Sequence, residues 1–572
     1  MQLHFIDFEV FKYNWLIVDI DPTTHTKTVI WDDPDKLERH YSAYKNEIWV
    51  GYNIRRYDQF IFKGILLGMN PKKINDFIIM QHQDGWRYSG EFNKINMVTF
   101  DLFMTNDSGL KTLEAFMGNN IKETSVDFNI DRPLTDEEKA ETEKYCTHDV
   151  EQSIEVFLHR QGEFSAAMGL VKIFKLPLNY IGKTTAQRVA AILGGKRQRF
   201  DDDFKFPIVD TLRLDKYAGV VKWYRNPLNF DYTKKLKLDV AGVPHIFAWG
   251  GIHGAIPKYH GVGVYLLADV TAYYPSLQLR YKLGYRNMEH PENFELIHKE
   301  NLRFKALGDK AARQPYKIAD NAISGQLKDP TSPLYDPREN NAVCVNGQLL
   351  LLDLIEKIEQ ARAAELIQSN TDGILLKMPL GWNIKDWYSK IDDIVWEWEK
   401  RTGMRMEFTL YHEVFQKDVN NYVIVTDDGH TKTKGKYTKG LSDVDYDLPI
   451  VNVALVDYMT KKIPVEQTIN DCNDLRMFQR VVKLSGKYWR TWHNGSFMTE
   501  KCHRVFASLR DSDTYIGKCK GEGMTIEKFA DTPTHCFIEN GAVRGVPVPA
   551  ILDRQWYIDL ANKRLEQYGV AI

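Results

Sequence analysis

Six carboxylates in this sequence stand where divalent-cation chemistry would need them. Asp7 and Glu9, in FIDFE, are two residues apart in a strand-like run, so both point to one face. Asp58, in NIRRYD, opens a helix just after a second strand, EIWVGYN. Asp149, in YCTHD, lies four residues after Tyr145, so the acid and the phenol share one helix face. Hard divalent cations need oxygen ligands, and two such ions can clamp the attacking and leaving oxygens of a phosphodiester. Four acids with a nearby phenol suit that work. Asp101, in VTFDLF, is a fifth acid nearby and is read as a supporting or structural group.

The other two carboxylates are central. DVTAYYPSL (269–277) puts Asp269 at the end of a buried strand, before a tight Tyr-Pro turn. NTDG (370–373) puts Asp372 at the tip of a hairpin, LIQS-NTDG-ILLK. A strand end and a hairpin tip can meet in one sheet, where two acids could hold two ions for phosphoryl transfer. NTDG is equally a good type I′-like turn sequence. Between them lies KIADNAISG (317–325), with Lys317, Asn321 and Ser324 on one helix face. Arg303, Lys305, Lys310 and Arg313 are further cations suited to phosphates. Lys310, Arg313 and Lys317 share a face if the helix runs through Pro315.

These residues must be carried by several domains. At 572 residues the chain is long enough for about four domains of about 150 residues. It is 43% hydrophobic and 27% charged, which is globular and excludes a wholly disordered, collagenous or coiled-coil chain. No run of 18 apolar residues suggests a membrane span, and MQLHFIDFEV has neither a basic leader region nor a cleavage site. Six scattered cysteines without a CxxC argue against structural zinc and disulfides, and for a reduced, cytoplasmic setting. Residues 1–160 alternate strand and helix, and Thr135 to Glu138 fits a capping box. Residues 261–269 read as a buried strand, and 342–363 as a long apolar helix. The net charge is −2, so any nucleic-acid footprint is local. Residues 476–520 supply one, with ten Lys/Arg against three acids and interleaved Tyr488, Trp489, Trp492 and Phe497.

FIDFE, NIRRYD and YCTHD resemble the three motifs of 3′–5′ proofreading exonucleases. DVTAYYPSL, KIADNAISG and NTDG resemble motifs A, B and C of family B DNA polymerases. The resemblance spans roughly residues 5–440, in the expected order. It implies a multi-domain α/β and α+β fold, an RNase H-like exonuclease plus a right-hand polymerase. The expected division is exonuclease at 1–165, connector at 166–260, palm at 261–290 and 331–440, fingers at 291–330 and a thumb-like region at 441–572. Asp7, Glu9, Asp58 and Asp149 would hold two metal ions, with Tyr145 orienting the attacking water and Asn53 meeting the DNA end. Asp269 and Asp372 would hold two more, with Mg²⁺ the expected ion and Mn²⁺ a substitute. Tyr274 falls at the steric gate that excludes a 2′-hydroxyl. Lys317, Asn321, Arg303, Lys310 and Arg313 would meet the nucleotide. Gly250 and Gly251 match the glycines of a YxGG element, and Tyr422 with Lys417 a KxY element, both contacting DNA.

The sequence departs from the pattern at Asn370, where motif C has an acid, and at Ser324, where motif B has a tyrosine. The first departure spares the metal-binding acid; the second bears on base selection. The implied function is template-directed DNA synthesis from dNTPs on primer-template DNA with proofreading, in a monomer, as in phage genome replication in the host cytoplasm. The gaps of 48 residues between 269 and 317 and 55 between 317 and 372 are too short for the insertions of protein-primed enzymes, so DNA priming is expected. In that setting the 476–520 stretch becomes a salt-sensitive duplex-phosphate surface. The alternative is an exonuclease whose central region only binds DNA.

Overall fold

A computed structural model describes residues 2–104, 108–382 and 390–571. They form two compact units. One comprises Met1–Thr184, Leu441–Pro449 and Asn473–Arg554; the other Thr185–Gly440, Ile450–Cys472 and Gln555–Ile572.

The first unit begins with a five-stranded sheet: β1 (Leu3–Val10), β2 (Trp15–Ile20), β3 (Lys27–Trp31), β4 (Ile48–Gly51) and β5 (Val98–Asp101). The order is β3-β2-β1-β4-β5, with β1 antiparallel to β2 and parallel to β4. Strand alternation decides what each face of β1 carries. Ile6, Phe8 and Val10 enter one apolar core with Trp15, Trp49 and Phe62. Phe5 enters the other, with Leu113, Met117, Cys146, Val150 and Phe157. Asp7 and Glu9 share the parity of Phe5 and so face the helices of that second core. Those helices are α2 (Leu110–Met117) and α3 (Asp136–His159); α1 (Asp58–Leu66) follows β4. The capping box at the start of α3 is present in both directions. Glu138 N donates to Thr135 Oγ1 at 3.2 Å, and Thr135 N donates to Glu138 Oε2 at 2.8 Å.

The second unit is built on a nine-stranded sheet. Its strands are β6 (Leu236–Val240), β7 (Val243–Phe247), β8 (His253–Ala255), β9 (Tyr259–Val270), β10 (Glu365–Asn370), β11 (Gly373–Lys377), β12 (Met406–Asp418), β13 (Asn421–Val425) and β14 (Thr431–Lys434). The order β14-β13-β12-β9-β11-β10-β8-β7-β6 places β9 between β12 and the β10–β11 hairpin. Leu266, Ala268 and Val270 pack into a core with Val345, Leu349 and Leu352 of a long helix. Tyr265 and Leu267 face the other way, with Tyr411, Val414 and Tyr422. Asp269 has the parity of this second face. The helices that matter here are α4 (Tyr273–Tyr281), α5 (Pro291–Ala306), α6 (Lys310–Gln326) and α7 (Pro337–Gln360). Helix α6 runs unbroken through Pro315, which sits in its second turn and forfeits a single backbone bond.

The C-terminal strands return to the first unit: β15 (Arg480–Lys483), β16 (Arg490–His493), β17 (Ser496–Met498), β18 (Cys502–Ala507), β19 (Gly517–Cys519), β20 (Ile526–Lys528) and β21 (Cys536–Ile538). Residues 441–572, grouped together on sequence, are thus divided between the two units, as is the expected connector 166–260. Burial explains the return of the strands. Val481 and Cys502 share an apolar cluster with Ala115 and Ile121. Arg504 is fully buried and donates to the carbonyls of Ala115, Asn119, Glu539 and Gly541. Burial pushes its guanidinium down to about 10. An arginine is the one side chain with enough donors to satisfy that ring of carbonyls. Arg504→Met is therefore expected to lower unfolding free energy by about 3 kcal/mol, by leaving several buried acceptors unpaired. Urea denaturation should show it, with Arg504→Lys recovering only part of the loss.

Candidate active sites

In the first unit the four acids converge between β1 and α3. Asp58 is 2% exposed, and Glu9 and Asp149 are each 9% exposed. Burial raises the carboxyl groups of Asp7 and Glu9 well above their ordinary range. Asp58 and Asp149 add to the rise at both, and Asp7 also feels Glu9. Burial likewise raises Asp58 to about 7 and Asp149 to about 6. Asp58 Oδ1 is buried with no hydrogen-bond partner. Tyr145 sits one turn before Asp149, and burial beside these acids raises its phenol, keeping it protonated as a donor. Cys146 Sγ lies 3.9 Å from Asp7 Oδ2, and burial, then the charges of Asp7, Glu9 and Asp149, raises its thiol; Asp7, Glu9 and Cys146 bring their ligand atoms within 4.8 Å of one another.

The loop carrying Asn53 is held by Asp101, whose Oδ1 accepts from Asn53 N at 2.9 Å and whose Oδ2 accepts from Arg55 N at 3.1 Å. Asn53 has a φ of 68°, a conformation that asparagine tolerates better than most residues. Asp101 Oδ1 also accepts from Phe103 N at 2.8 Å, so the acid ties this loop, which leads directly into Asp58, to the end of β5.

Sequence reasoning passed over three neighbours. Lys111 Nζ lies 2.6 Å from Asp149 Oδ1, 3.1 Å from Glu114 Oε2 and 4.7 Å from the centre of the Tyr145 ring. Burial alone would lower the Lys111 ammonium, but Asp149 and Glu114 outweigh it and raise it. His148 Nε2 is 3.3 Å from Glu114 Oε2. The only linear signal was Lys111 and Glu114 three apart on an otherwise apolar helix.

In the second unit, Gly373 pairs with Asp269 in register, and Val270 N donates to Asp372 O at 2.7 Å. The two acids are thereby side by side. A Cβ at position 373 would collide with Asp269 Oδ1, so this glycine makes room for the carboxylate. Thr371 has a φ of 45° and Asp372 has none above zero, so the turn is not type I′. Ala272, just after Asp269, also has a φ of 45°. Non-glycine residues held there are strained, and here the two flank both acids. Gly251 lies against Thr371, where a Cβ would come within 2.9 Å of Thr371 Oγ1, and Gly250 O accepts from Gln348 Nε2 at 2.5 Å.

Burial, then the charge of Asp269, raises the Asp372 carboxyl. Lys432 Nζ lies 2.7 Å from Asp269 Oδ2. Burial lowers the Lys434 ammonium, with Asp372 opposing. Neither lysine was singled out, although their spacing in HTKTKG puts both on one face of a strand. Tyr422 is buried near both acids; burial and their charges raise its phenol to about 12. Lys417 sits at the irregular step of β12, between Gln416 opposite Tyr422 and Asp418 opposite Asn421, with Nζ 5.8 Å from the Tyr437 ring.

Tyr273 OH donates to Gly347 O at 2.7 Å, while Tyr274 is only half-buried, beside Cys344. On α6, Lys310, Lys317 and Asn321 are exposed. Arg313 Nε donates to Asn301 Oδ1 at 2.8 Å; Asn301 Nδ2 donates to the fully buried Asp320 at 2.7 Å, as His298 approaches Asp320 at 3.0 Å. Arg303 pairs with Glu300 at 2.6 Å. Ser324 Oγ donates to Gln278 Oε1 at 2.6 Å, tying α6 to α4.

No protein-family model and no curated protein sequence matches the chain. Among solved structures it is similar to the family B DNA polymerase from the hyperthermophilic archaeon Pyrobaculum calidifontis. The identity is 13%, the alignment covers 100% of this chain and 78% of that one, and the TM-score is 0.43. A likeness at that level leaves the functional reading to the residues themselves. Among the described residues no helix is long and apolar enough to cross a membrane.

Both acid groups fit hard cations. Their donors are carboxylate oxygens, one of them buried and unpartnered, and burial first, then neighbouring carboxylates, raises Asp7 and Asp372. Asp58 is neutral below its folded value of about 7 but charged in the unfolded chain down to about 4. Its charge thus destabilises the folded state as pH rises through that window. Asp58→Asn is expected to raise the melting temperature at pH 8 and to change it little at pH 4. Millimolar Mn²⁺ should stabilise the parent chain at pH 8 and stabilise Asp58→Asn less. Gly373→Ala is expected to cost about 1–3 kcal/mol through overpacking. Adding Asp269→Ala should return most of it in a denaturation cycle.

Proposed function

We propose that this chain is a family B DNA polymerase of bacteriophage type with a 3′–5′ exonuclease. It extends a primer 3′-hydroxyl with dNTPs and removes mispaired ends. The observation that carries the reading is the register that sets Asp269 beside Asp372, with cations on α6 and β14 and a second, separate four-acid site in the other unit. Under this reading the five-stranded sheet with α3 is the RNase H-like exonuclease, the nine-stranded sheet is the palm, and α5 with α6 is a minimal fingers hairpin.

Asp269 and Asp372 would hold the ions for synthesis, and Asp7, Glu9, Asp58 and Asp149 those for excision. Mg²⁺ bound there would lower the pKa of the attacking oxygen and neutralise charge on the phosphoryl group. The chain's own residues do the rest. The ring of Tyr274 would occupy the space a 2′-hydroxyl needs. Lys310, Lys317, Arg303 and Arg313 offer fixed positive charge to a triphosphate, with Asn301 and Asp320 setting the direction of Arg313. Lys432 holds Asp269 in place and presents an ammonium to a phosphodiester backbone. Tyr422 and Gly251 line the approach to the acids. At the excision site, protonated Tyr145 donates toward the attacking water, and Lys111 holds Asp149 and the tyrosine ring together.

A 5′-labelled primer on a longer template, with Mg²⁺, tests both activities. Extension with dNTPs and shortening without them are expected. Asp269→Asn should reduce extension about a thousandfold, the value of losing several kcal/mol of transition-state stabilisation, and leave shortening intact. Asp149→Asn should do the reverse. Shortening that persists with no extension by the parent chain would leave the exonuclease alone.

A further inference from the structure

The first unit gathers a second set of ligating side chains, on the face of β1 turned away from the four acids. His4 has the parity of Ile6 and Phe8, opposite to that of Asp7 and Glu9. Asp19 on β2 stands opposite Ile6 in register and so shares the face of His4. His40 comes from the helix Pro34–Tyr44, one turn after Leu37, which is buried in the core of that same face. Sheet and helix thus assemble residues far apart in the chain: His4 and Asp19 are separated by 15 positions, Asp19 and His40 by 21.

His4 Nδ1 lies 2.8 Å and His40 Nε2 2.7 Å from one and the same atom, Asp19 Oδ2. Asp19 Oδ1 and His4 Nε2 are buried with no hydrogen-bond partner. The side chains of His4, Asp19 and His40 are 3%, 5% and 11% exposed, so water reaches chiefly the His40 edge. A cluster built for hydrogen bonding alone would spread its two donors over both carboxylate oxygens, because a buried acceptor left unpaired is costly. Two imidazole nitrogens and a carboxylate oxygen, all within 4.8 Å of one another, instead make a ligand set. Imidazole nitrogen favours zinc and its transition-metal neighbours over Mg²⁺ and Ca²⁺. Tetrahedral bonds of about 2.0–2.1 Å put ligand atoms about 3.3 Å apart, so the cluster needs to open by only about half an ångström. His40, the most exposed of the three, can supply that movement through its side-chain torsions.

We propose that His4, Asp19 and His40 bind one divalent transition-metal ion, with zinc the best fit, through His4 Nδ1, His40 Nε2 and a carboxylate oxygen of Asp19. The fourth position is left to water on the His40 side. The ion takes the place of the two N–H donors at Asp19 and ties β1, β2 and the helix Pro34–Tyr44 together. Tyr44 and Trp49, with ring centres 4.3 Å and 4.9 Å from that of His4, supply apolar surroundings. The site uses none of the six acids assigned to phosphoryl transfer, so it stands or falls apart from the polymerase reading.

The test is zinc binding by the full chain, stripped with EDTA, dialysed and held in millimolar Mg²⁺ to occupy sites made of oxygen alone. X-ray absorption at the zinc edge then counts the imidazoles on the bound ion. One zinc per chain with two imidazoles is expected. His40→Gln and Asp19→Asn should each weaken zinc retention at least about tenfold, since even a residue behind the ligands is worth that much. Zinc should raise the melting temperature of the parent and leave that of His40→Gln unchanged, with matching circular-dichroism spectra in EDTA confirming the fold. Asp149→Asn should leave this ion in place. A zinc with one imidazole that is lost in Asp149→Asn would belong to Glu114, His148 and Asp149 and would overturn the proposal. So would two imidazoles that survive His40→Gln, or a parent chain that retains no zinc, which would leave a hydrogen-bonded cluster only.

Discussion

Burial of carboxylates beside one another is the constraint around which both units are arranged. Burial raises Asp7, Glu9, Asp58 and Asp149, with the charges of Asp58 and Asp149 adding to the rise at Asp7 and Glu9, and burial, then Asp269, raises Asp372. No folded protein gathers such groups at no cost, because desolvation and like charge both oppose ionisation. The surrounding structure answers with fixed positive charge, Lys111 in one unit and Lys432 in the other, each in direct contact with one acid. What remains uncompensated is a demand for cations, which accords with the phosphoryl-transfer chemistry proposed for both.

The backbone meets the same constraint in a different way. A carboxylate at a strand end can be aimed only if the chain turns sharply beside it. Asn53, Ala272 and Thr371 all hold positive φ, and each adjoins or leads into one of these acids. The strain is paid for by the regular elements on either side: β4 and α1, β9 and α4, and the β10–β11 hairpin. Gly373 shows how narrow the tolerance is, since one added carbon would occupy the place of Asp269 Oδ1.

The positive charge of the chain is likewise sorted by burial. Arg504 and Arg476 hold carbonyls and carboxylates inside the first unit. Lys487, Lys518 and Lys520 stay at the surface around Tyr488. Arg313 lies between these cases, directed by a buried network through Asn301 and Asp320. A near-neutral net charge is therefore compatible with local basic surfaces, because the arginines that balance acids inside are not available outside.

Much of this was legible in the linear chain. The alternation in FIDFE, the capping box at Thr135, the NTDG hairpin and the long apolar helix are local features, set by side-chain period and turn chemistry over a few residues. The sequence by itself determined which carboxylates lie at strand ends, helix starts and hairpin tips. It also placed Tyr145 with Asp149 on one face. It could not say that Lys111 would reach Asp149 across 38 positions, or Lys432 reach Asp269 across 163. It could not place β15–β21 in the first unit either, because that choice rests on Arg504 finding carbonyls nearly 390 residues away. Local periodicity is written in neighbouring residues, whereas ion pairs, buried polar networks and glycine clearances depend on which surfaces the tertiary fold brings within a few ångströms.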